Sequence, residues 1–290
     1  MRIAATWYGT AALHLVVEEA LGVFFDPWFA RPPGARPRIA ADPRAVELHP
    51  LDVILVSHSH FDHIMNLPDL VRRYPQVQAN VPAVTIQNCR RLCCGAIFKD
   101  YSCDLADSEW ARIHTVTAGY RTEVSSPDRS VRLRATAIKS GHVRFDAYSV
   151  LRALFKFKVI SRLGYYSKFL AGFPAGEVLG WELQVESGGE SKRVVFFGSL
   201  CKEYAAALRQ YTDCDCLFIP LAGRQNILPY ASVLTEALRP RMVIPIHHDD
   251  FFPPVSYAVD YRNYADWLKK SLPGTRLVDL PPEQPNLLPV

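Results

Sequence analysis

The segment that most constrains this chain is a cluster of histidines directly after a short apolar run. Val53–Val56 is a continuous apolar stretch, which is typical of a strand buried on both faces. His58 and His60 follow it, and alternate side chains on an extended backbone point the same way, so these two imidazoles converge. Asp62 and His63 lie at the start of the next turn and point toward a neighbouring position. Because imidazole and carboxylate suit borderline divalent ions such as Zn²⁺, the spacing predicts two adjacent metal subsites.

Composition narrows the class of protein. The 290 residues are 49% hydrophobic, which allows a large core and excludes a disordered or fibrous chain. With 33 Lys and Arg against 29 Asp and Glu, the net charge of +4 is too small to indicate nucleic-acid binding. Seven cysteines, an odd number in a chain too large to need disulfides, favour free thiols in a reducing compartment. The sequence shows no signal peptide or long apolar run, so we expect a cytoplasmic protein.

Strand-like and helix-like segments alternate along the chain. The predicted strands are 3–8, 12–18, 22–25, 51–57, 131–137, 179–185, 193–197, 216–220, 243–246 and 276–279. The predicted helices are 67–73, 84–92, 202–211, 231–238 and 261–271. This order predicts an α/β fold in which two mixed β-sheets pack face to face between outer helices. We expect residues 1–290 to form a single domain.

The histidine cluster resembles the H-x-H-x-D-H motif of the metallo-β-lactamase superfamily. The resemblance implies a four-layer αββα sandwich and a metal-dependent hydrolase. Thr6–Gly9 and Phe24–Trp28 are similar to the opening of one branch, which contains ascorbate-phosphate lactonases and the phospholipase D that cleaves N-acyl phosphatidylethanolamine. In this resemblance Asp26 is a carboxylate that orients a metal-ligating imidazole by accepting its other N–H. Thr10 departs from the branch, which usually has His there, and this weakens the transfer of its substrates.

Two histidines further along the chain fit later motifs of the same superfamily. His142 and His247 each follow a predicted strand. His248 points the other way along its strand and is not an expected ligand, and His14, His49 and His114 lack ligand spacing. The ligand sets implied by the resemblance are His58, His60 and His142 for one metal, and Asp62, His63 and His247 for the other.

One position departs from the superfamily pattern. An Asp that bridges the two metals in the superfamily is replaced by Ser199, at the end of the stretch Val194–Ser199. A hydroxyl carries no charge, so Asp62 alone screens two dications and one ion should bind more weakly. We expect one firmly held ion at the three-histidine set and a second ion that is weakly bound or absent. Zn²⁺ is the expected ion, with Mn²⁺ and Fe²⁺ as alternatives.

The expected reaction is hydrolysis of an ester, lactone or phosphodiester bond, because a divalent ion lowers the pKa of water and stabilises an oxyanion. Asp62 is the candidate general base, and Ser199 is the candidate hydrogen-bond partner of the water or the substrate. Tyr8 and His248 are further candidates for proton transfer or orientation. The alternative is a non-catalytic protein with a degenerate metal site, which Ser199 favours. Ser199 also argues against diiron redox chemistry, which relies on the bridging ligand.

An insertion, residues 144–178, separates His142 from the strand predicted at residue 179. Its part 144–173 combines six basic residues with one acidic residue, Asp146, and is rich in aromatic and aliphatic side chains. Such a stretch predicts an active-site lid, a contact with a membrane surface or a dimerisation arm, and packing on the domain is the alternative. The functional reading implies a small-molecule or lipid-like substrate that is anionic and partly apolar, with peripheral membrane contact or a homo-oligomer as further expectations.

The cysteines allow one more interpretation. Cys89 and Cys93 are one turn apart on a predicted helix, and together with Cys94 and Cys103 they could hold a structural zinc ion. Neighbouring helical cysteines more often pack as small apolar side chains. Cys214 and Cys216 are predicted core residues, and an approach of Cys201 to the metal centre is the less favoured interpretation of that residue.

Overall fold

The computed structural model describes residues 1–29, 31–32, 34–39, 46–94, 104–143, 172–199, 201–224 and 226–290. Most of the predicted insertion therefore lies outside the described residues, and the structure bears only on its ends. Cys103, one of the four cysteines considered for structural zinc, also lies outside them. None of the helices in the described ranges is both long and apolar enough to cross a membrane.

Strands and helices alternate along the described ranges. The strands are β1 (Ile3–Trp7), β2 (Leu13–Val17), β3 (Leu21–Phe25), β4 (Val53–Leu55), β5 (Gln78–Pro82), β6 (Ile113–Val116), β7 (Arg121–Ser125), β8 (Val131–Lys139), β9 (Leu179–Ser187), β10 (Glu190–Phe197), β11 (Cys216–Pro220), β12 (Met242–Ile246), β13 (Arg276–Leu277) and β14 (Asn286–Leu287). The α-helices are α1 (Phe61–Ile64), α2 (Leu67–Arg73), α3 (Ala83–Cys93), α4 (Asp107–Trp110), α5 (Ala205–Leu208), α6 (Leu228–Leu238) and α7 (Arg262–Ser271).

The strands form two mixed sheets of seven strands each. The first has the order β14-β1-β2-β3-β4-β5-β6 and the second the order β13-β12-β11-β10-β9-β8-β7. In the first sheet an antiparallel meander, β1 to β3, continues into parallel strands, β3 to β6. In the second, β10 to β13 are parallel and β7 to β10 are antiparallel.

The core between the two sheets consists of apolar side chains. Phe25 of the first sheet stacks on Phe196 of the second, with ring centroids 4.1 Å apart. Helices cover the outer faces, as their apolar spacing requires: Ala231, Leu234 and Leu238 of α6 share one face and are buried against the second sheet. The predicted α/β class, two mixed sheets with flanking helices in the αββα arrangement, is confirmed.

Several local elements differ from the prediction. β5, β6 and β7 were not predicted, because β5 contains Asn80 and Pro82, and β7 exposes alternating polar side chains. The helix predicted over 202–211 is a single short α-helix, α5, between two 3₁₀ turns. β10 and β12 end where predicted, whereas β4 ends two residues earlier and β8 two residues later. β8 and β10 are both antiparallel to β9 and so run in the same direction, and the segments that follow β4, β8 and β12 carry the candidate ligands that come together.

Candidate metal centre

The loop after β4 is held by backbone hydrogen bonds from the segment that returns from the insertion. The carbonyl of Ser57 accepts a hydrogen bond from the amide of Leu179 at 2.8 Å, and the amide of Ser59 donates to Ala175 at 2.9 Å. Asn88 of α3 donates from Nδ2 to the carbonyl of Ser59 at 2.8 Å. The loop is therefore fixed on both sides of His58, which lies at its centre.

The first group of candidate ligands contains three imidazoles. His58 and His60 come from the loop after β4, and His142 comes from the segment after β8. The ring centroids of His58 and His60 are 4.8 Å apart, and those of His60 and His142 are 4.5 Å apart. One nitrogen from each of the three rings lies within 4.8 Å of the others, so the group can surround one ion.

The second group contains a carboxylate and two imidazoles. Oδ2 of Asp62 is 3.6 Å from Nε2 of His63 and 3.4 Å from Nε2 of His247. His247 follows β12 with a left-handed φ of 52°, and its amide donates to the carbonyl of Thr10 at 2.7 Å. These three side chains also lie within 4.8 Å of one another and are all buried. The structure thus brings together the two ligand sets that the sequence predicted.

Asp26 connects the two groups from behind. Its carboxylate accepts the amide of Ser57 and the Ser57 hydroxyl, each at 2.6 Å. The same carboxylate lies 2.8 Å from Nδ1 of His63, and the Ser57 hydroxyl lies 2.9 Å from Nδ1 of His58. Gly198 makes room for this arrangement, because a Cβ there would come within 2.0 Å of the Ser57 hydroxyl. Asp26 therefore orients one imidazole directly and another through Ser57.

Burial and charge set the protonation of these groups. Burial, together with the neighbouring imidazoles, holds the pKa of His58 well below its ordinary value, and burial lowers that of His60 to about 4. Burial by itself would raise the pKa of Asp62, but His63 and His247 outweigh it and hold that pKa below its usual range. The carboxylate is ionised and the first two imidazoles are neutral at pH 7, which are the forms that bind metal.

Two of the buried ring nitrogens of the candidate ligands lack a hydrogen-bond partner among the described residues. Nδ1 of His58, of His63 and of His142 is engaged, the last lying 2.8 Å from the carbonyl of Val143. Nε2 of His58 and Nδ1 of His247 are buried and have no hydrogen-bond partner in the described part of the chain. Buried polar atoms of this kind are normally satisfied, so the donor set fits a divalent ion. Ligand atoms about 2.1 Å from one tetrahedral ion are about 3.4 Å apart. The candidate ligand atoms lie within 4.8 Å of one another, so the side chains must draw together when an ion binds.

Ser199 lies beside the centre but outside both ligand groups. Its hydroxyl oxygen accepts the amide of Val143 at 2.8 Å, and its side chain is buried. Val143 directly follows His142, so Ser199 fixes the backbone that carries this histidine. Sequence reasoning considered only a role for Ser199 toward metal, water or substrate and missed this contact.

A buried ion pair supports His247 and was not found from the sequence. Nη1 of Arg31 lies 2.6 Å from Oδ2 of Asp249, and both side chains are almost fully buried. Asp249 accepts the amide of Thr10, and Arg31 donates to the Thr10 hydroxyl at 2.9 Å. Thr10 in turn holds the amide of His247, so these residues position a candidate ligand. The unusual Thr10 was the only sequence signal of this cluster.

The remaining candidates lie apart from the two ligand groups. His248 stacks on Trp7 with ring centroids 4.8 Å apart, and Tyr8 packs edge-on against Phe29. Cys201 comes close to Gly141, next to His142, although the sequence offers little reason to expect it there. Among the described residues no cysteine belongs to a group of candidate metal ligands. Cys214 and Cys216 are buried in the core, as predicted.

Comparison with known proteins agrees with this geometry. Residues 22–248 match the family described as Beta-lactamase superfamily domain. A UPF0173 metal-dependent hydrolase of Anaeromyxobacter dehalogenans is 26% identical over 251 residues, which cover 86% of this chain and 76% of the relative.

Solved structures share the fold at low sequence identity. PqqB from Methylobacterium extorquens, solved with Zn²⁺ bound, is 12% identical with a TM-score of 0.50, covering 98% of this chain and 100% of that one. CmlA, a diiron β-hydroxylase from Streptomyces venezuelae, is 16% identical with a TM-score of 0.51. The match covers 99% of this chain and 54% of CmlA, so this chain spans about half of that protein.

The fold, the two ligand groups and the family match define one class of protein. The chain belongs to the β-lactamase superfamily and is a metal-dependent hydrolase of the metallo-β-lactamase fold. The resemblance to the lactonase and phospholipase D branch is not established by these matches.

Replacing Asp26 with Asn should weaken metal binding without removing any ligand. Asn has one acceptor oxygen, so it cannot accept the Ser57 amide at one end and the Ser57 hydroxyl and His63 at the other. We therefore expect metal affinity to fall about 10- to 100-fold. Competition with a chelator, followed by metal quantification, measures this change. Asp52→Asn is the matched control, because Asp52 binds only the amide of Gly22 at the other end of the strands. Equal affinity in wild type and Asp26→Asn would show that Asp26 does not orient the ligands.

Proposed function

We propose that this protein hydrolyses an ester, lactone or phosphodiester bond in a substrate that is anionic and partly apolar. The observation that carries this proposal is the adjacency of the two ligand groups. His58 and His63, one from each group, have ring centroids only 3.9 Å apart. A substrate atom between the groups would be within reach of both, as hydrolysis of a polarised bond requires.

Asp62 and Ser199 are the proposed catalytic residues. A divalent ion at this centre lowers the pKa of water toward neutrality and polarises the oxygen of the bond that is cleaved. While the second group holds no ion, the ionised carboxylate of Asp62 is not engaged as a metal ligand and can accept a proton from the attacking water. The Ser199 hydroxyl accepts only the amide of Val143 among the described contacts, so its own proton remains available to water or substrate.

The metal content follows from the ligands. We propose one firmly held Zn²⁺ at His58, His60 and His142 and a more weakly held second ion at Asp62, His63 and His247, with Mn²⁺ or Fe²⁺ as alternatives. No carboxylate of the described residues belongs to both groups, and Ser199 stands where the superfamily resemblance implies a bridging Asp, so a second dication binds against the charge of the first. In the second group Asp62 already attracts both imidazoles, and an ion must displace these contacts.

Metal analysis of variants tests this order of binding. Protein purified without added metal should hold about one equivalent after mild chelation. His142→Ala should lose this ion, whereas His247→Ala, the same substitution in the other group, should retain it. Two equivalents that survive chelation, or loss of the firm ion in His247→Ala alone, would contradict the proposed order.

Turnover tests the proposed chemistry. We expect the metal-loaded protein to hydrolyse at least one of p-nitrophenyl acetate, a simple lactone and bis-p-nitrophenyl phosphate. Asp62→Asn should lower kcat about 100-fold or more while metal content falls much less, because the amide cannot act as a base. Asp69→Asn, an exchange in the nearby surface ion pair with Arg73, is the control. No turnover of any of these substrates would favour a non-catalytic binding protein instead.

The surroundings of the second ligand group support a partly apolar substrate. The ring of Phe251 is 4.7 Å from that of His247, and Trp28 lies edge-on to both Phe251 and Phe61. Phe173, at the returning end of the insertion, packs against Phe61. His142 lies just before the insertion, and the carbonyl of Ala175, near its end, accepts the amide of Ser59, which lies between His58 and His60. Both ends of the insertion are therefore next to candidate metal ligands. We therefore propose that 144–173 contacts an anionic lipid-like substrate or the membrane surface that contains it.

Vesicle flotation tests the role proposed for the insertion. Wild-type protein should float with vesicles that contain anionic lipid and not with neutral vesicles. Lys156, Lys158 and Lys168 changed together to Gln should weaken this binding about 100-fold, since each basic residue near an anionic surface contributes about 1 kcal/mol. Deletion of 150–169 should abolish it. If wild-type protein does not float, and deletion leaves hydrolysis unchanged, the insertion only packs on the domain.

A further inference from the structure

A buried arginine near the metal centre has no counter-ion in the described part of the chain. Arg224 follows β11, and only 7% of its surface is exposed. Its Nε is buried and has no hydrogen-bond partner in the described part of the chain. A guanidinium is always charged, and a buried charge is normally paired. The lack of a described acceptor therefore indicates a place for an anion.

The guanidinium is held flat by an aromatic ring. Cζ of Arg224 lies 3.4 Å from the ring centroid of Tyr230, which is on α6. A ring at this distance covers one face of the guanidinium and accepts no hydrogen bond in the guanidinium plane. The N–H edge is the part that binds two oxygens of a carboxylate or phosphate in parallel. The ring thus orients Arg224 without satisfying it.

Arg224 lies at the same edge of the sandwich as the metal ligands. β11 and β12 are parallel neighbours, and the amide of Leu221 donates to the carbonyl of Ile246 at 3.0 Å. Ile246 immediately precedes the candidate ligand His247. Arg224 is three residues beyond Leu221, which bounds the distance between the Cα atoms of Arg224 and His247 at about 18 Å. One substrate of moderate size can therefore reach both.

A second cation lies at the same ring but in a different environment. Nζ of Lys202 is 5.2 Å from the ring centroid of Tyr230, and Lys202 is exposed to solvent. An exposed ammonium is already hydrated, so Lys202 needs no anion, whereas Arg224 does. Lys202 is therefore the matched control for Arg224.

We propose that Arg224 binds a carboxylate or phosphate group of the substrate through its N–H edge and so selects anionic substrates. That the anion is part of a substrate rests on the proposed hydrolysis. The anion site itself does not depend on it. Arg224 acts in binding and takes no part in bond cleavage. The competing explanation is an internal ion pair with Asp146, the one acidic residue of 144–173, which lies outside the described residues.

Anion binding can be measured without turnover. Metal-loaded wild-type protein, Arg224→Gln, Arg224→Lys and Lys202→Gln are titrated calorimetrically with inorganic phosphate and, separately, with glutarate at constant ionic strength. For at least one probe Arg224→Gln should weaken binding tenfold or more, Arg224→Lys should be intermediate, and Lys202→Gln should stay within threefold of wild type. The probe whose affinity falls more in Arg224→Gln shows whether the site prefers phosphate or carboxylate. No binding of either probe, or equal affinity in Arg224→Gln, overturns the proposal.

Thermal stability separates an anion site from an internal pair. Arg224→Met keeps the contact with Tyr230 and removes the charge, so without added anion its Tm should equal or exceed that of wild type. A lowered Tm in both Arg224→Met and Asp146→Asn would identify the internal ion pair and overturn the proposal.

Substrate preference completes the test. The ratio of kcat/KM for an aryl ester with a free carboxylate to that for p-nitrophenyl acetate should fall tenfold or more in Arg224→Gln, while Lys202→Gln should preserve it. An unchanged ratio in Arg224→Gln overturns the selection of anionic substrates. Arg224-dependent anion binding in a protein without hydrolysis would refute the proposed function and leave the anion site standing.

Discussion

The carboxylate of Asp26 is the contact on which the rest of the centre depends. It is completely buried, yet it accepts hydrogen bonds from the Ser57 amide and hydroxyl and lies within hydrogen-bond distance of His63. A buried carboxylate is stable only when its oxygens are satisfied in this way. Because Ser57 reaches His58 and Asp26 reaches His63, one charge fixes an imidazole in each ligand group. The need for Gly198 beside it follows from the same crowding.

The parts of the fold and of the metal centre that could be predicted are those that depend on residues close together in the sequence. The apolar run 53–56 and the spacing from His58 to His63 lie in one short segment, and His142 and His247 each follow a recognisable strand. Parallel strands bring such ends to one edge, so the grouping of the six ligands follows once the fold class is known. Strands that depend on tertiary burial more than on pattern, such as β5 with its Asn80, could not be found in this way.

The contacts that escaped prediction join residues far apart in sequence. Asp249 and Arg31 are separated by most of the chain, and neither belongs to a periodic pattern or a spaced motif. Ser199 illustrates a different difficulty: its lost carboxylate is visible in the sequence, but its hydrogen bond to Val143 depends on where two loops pass each other. Arg224 was missed for a related reason. An isolated basic residue in a loop gives no signal in the sequence, and only the structure shows that its surroundings lack a described acceptor.

The link between His247 and Thr10 has a consequence for how the protein is made. His247 is the last of the six candidate ligands to be synthesised, and its amide is held by a residue of the first hairpin. That hydrogen bond cannot form until β12 has been synthesised. His58, His60 and His142, in contrast, are all present once half of the chain has been made. These three candidate ligands still depend on later segments, since Ala175 and Leu179 hold the loop of His58 and Ser199 holds the backbone after His142. The second group is completed only when the first hairpin and β12, which come from opposite ends of the chain, have met.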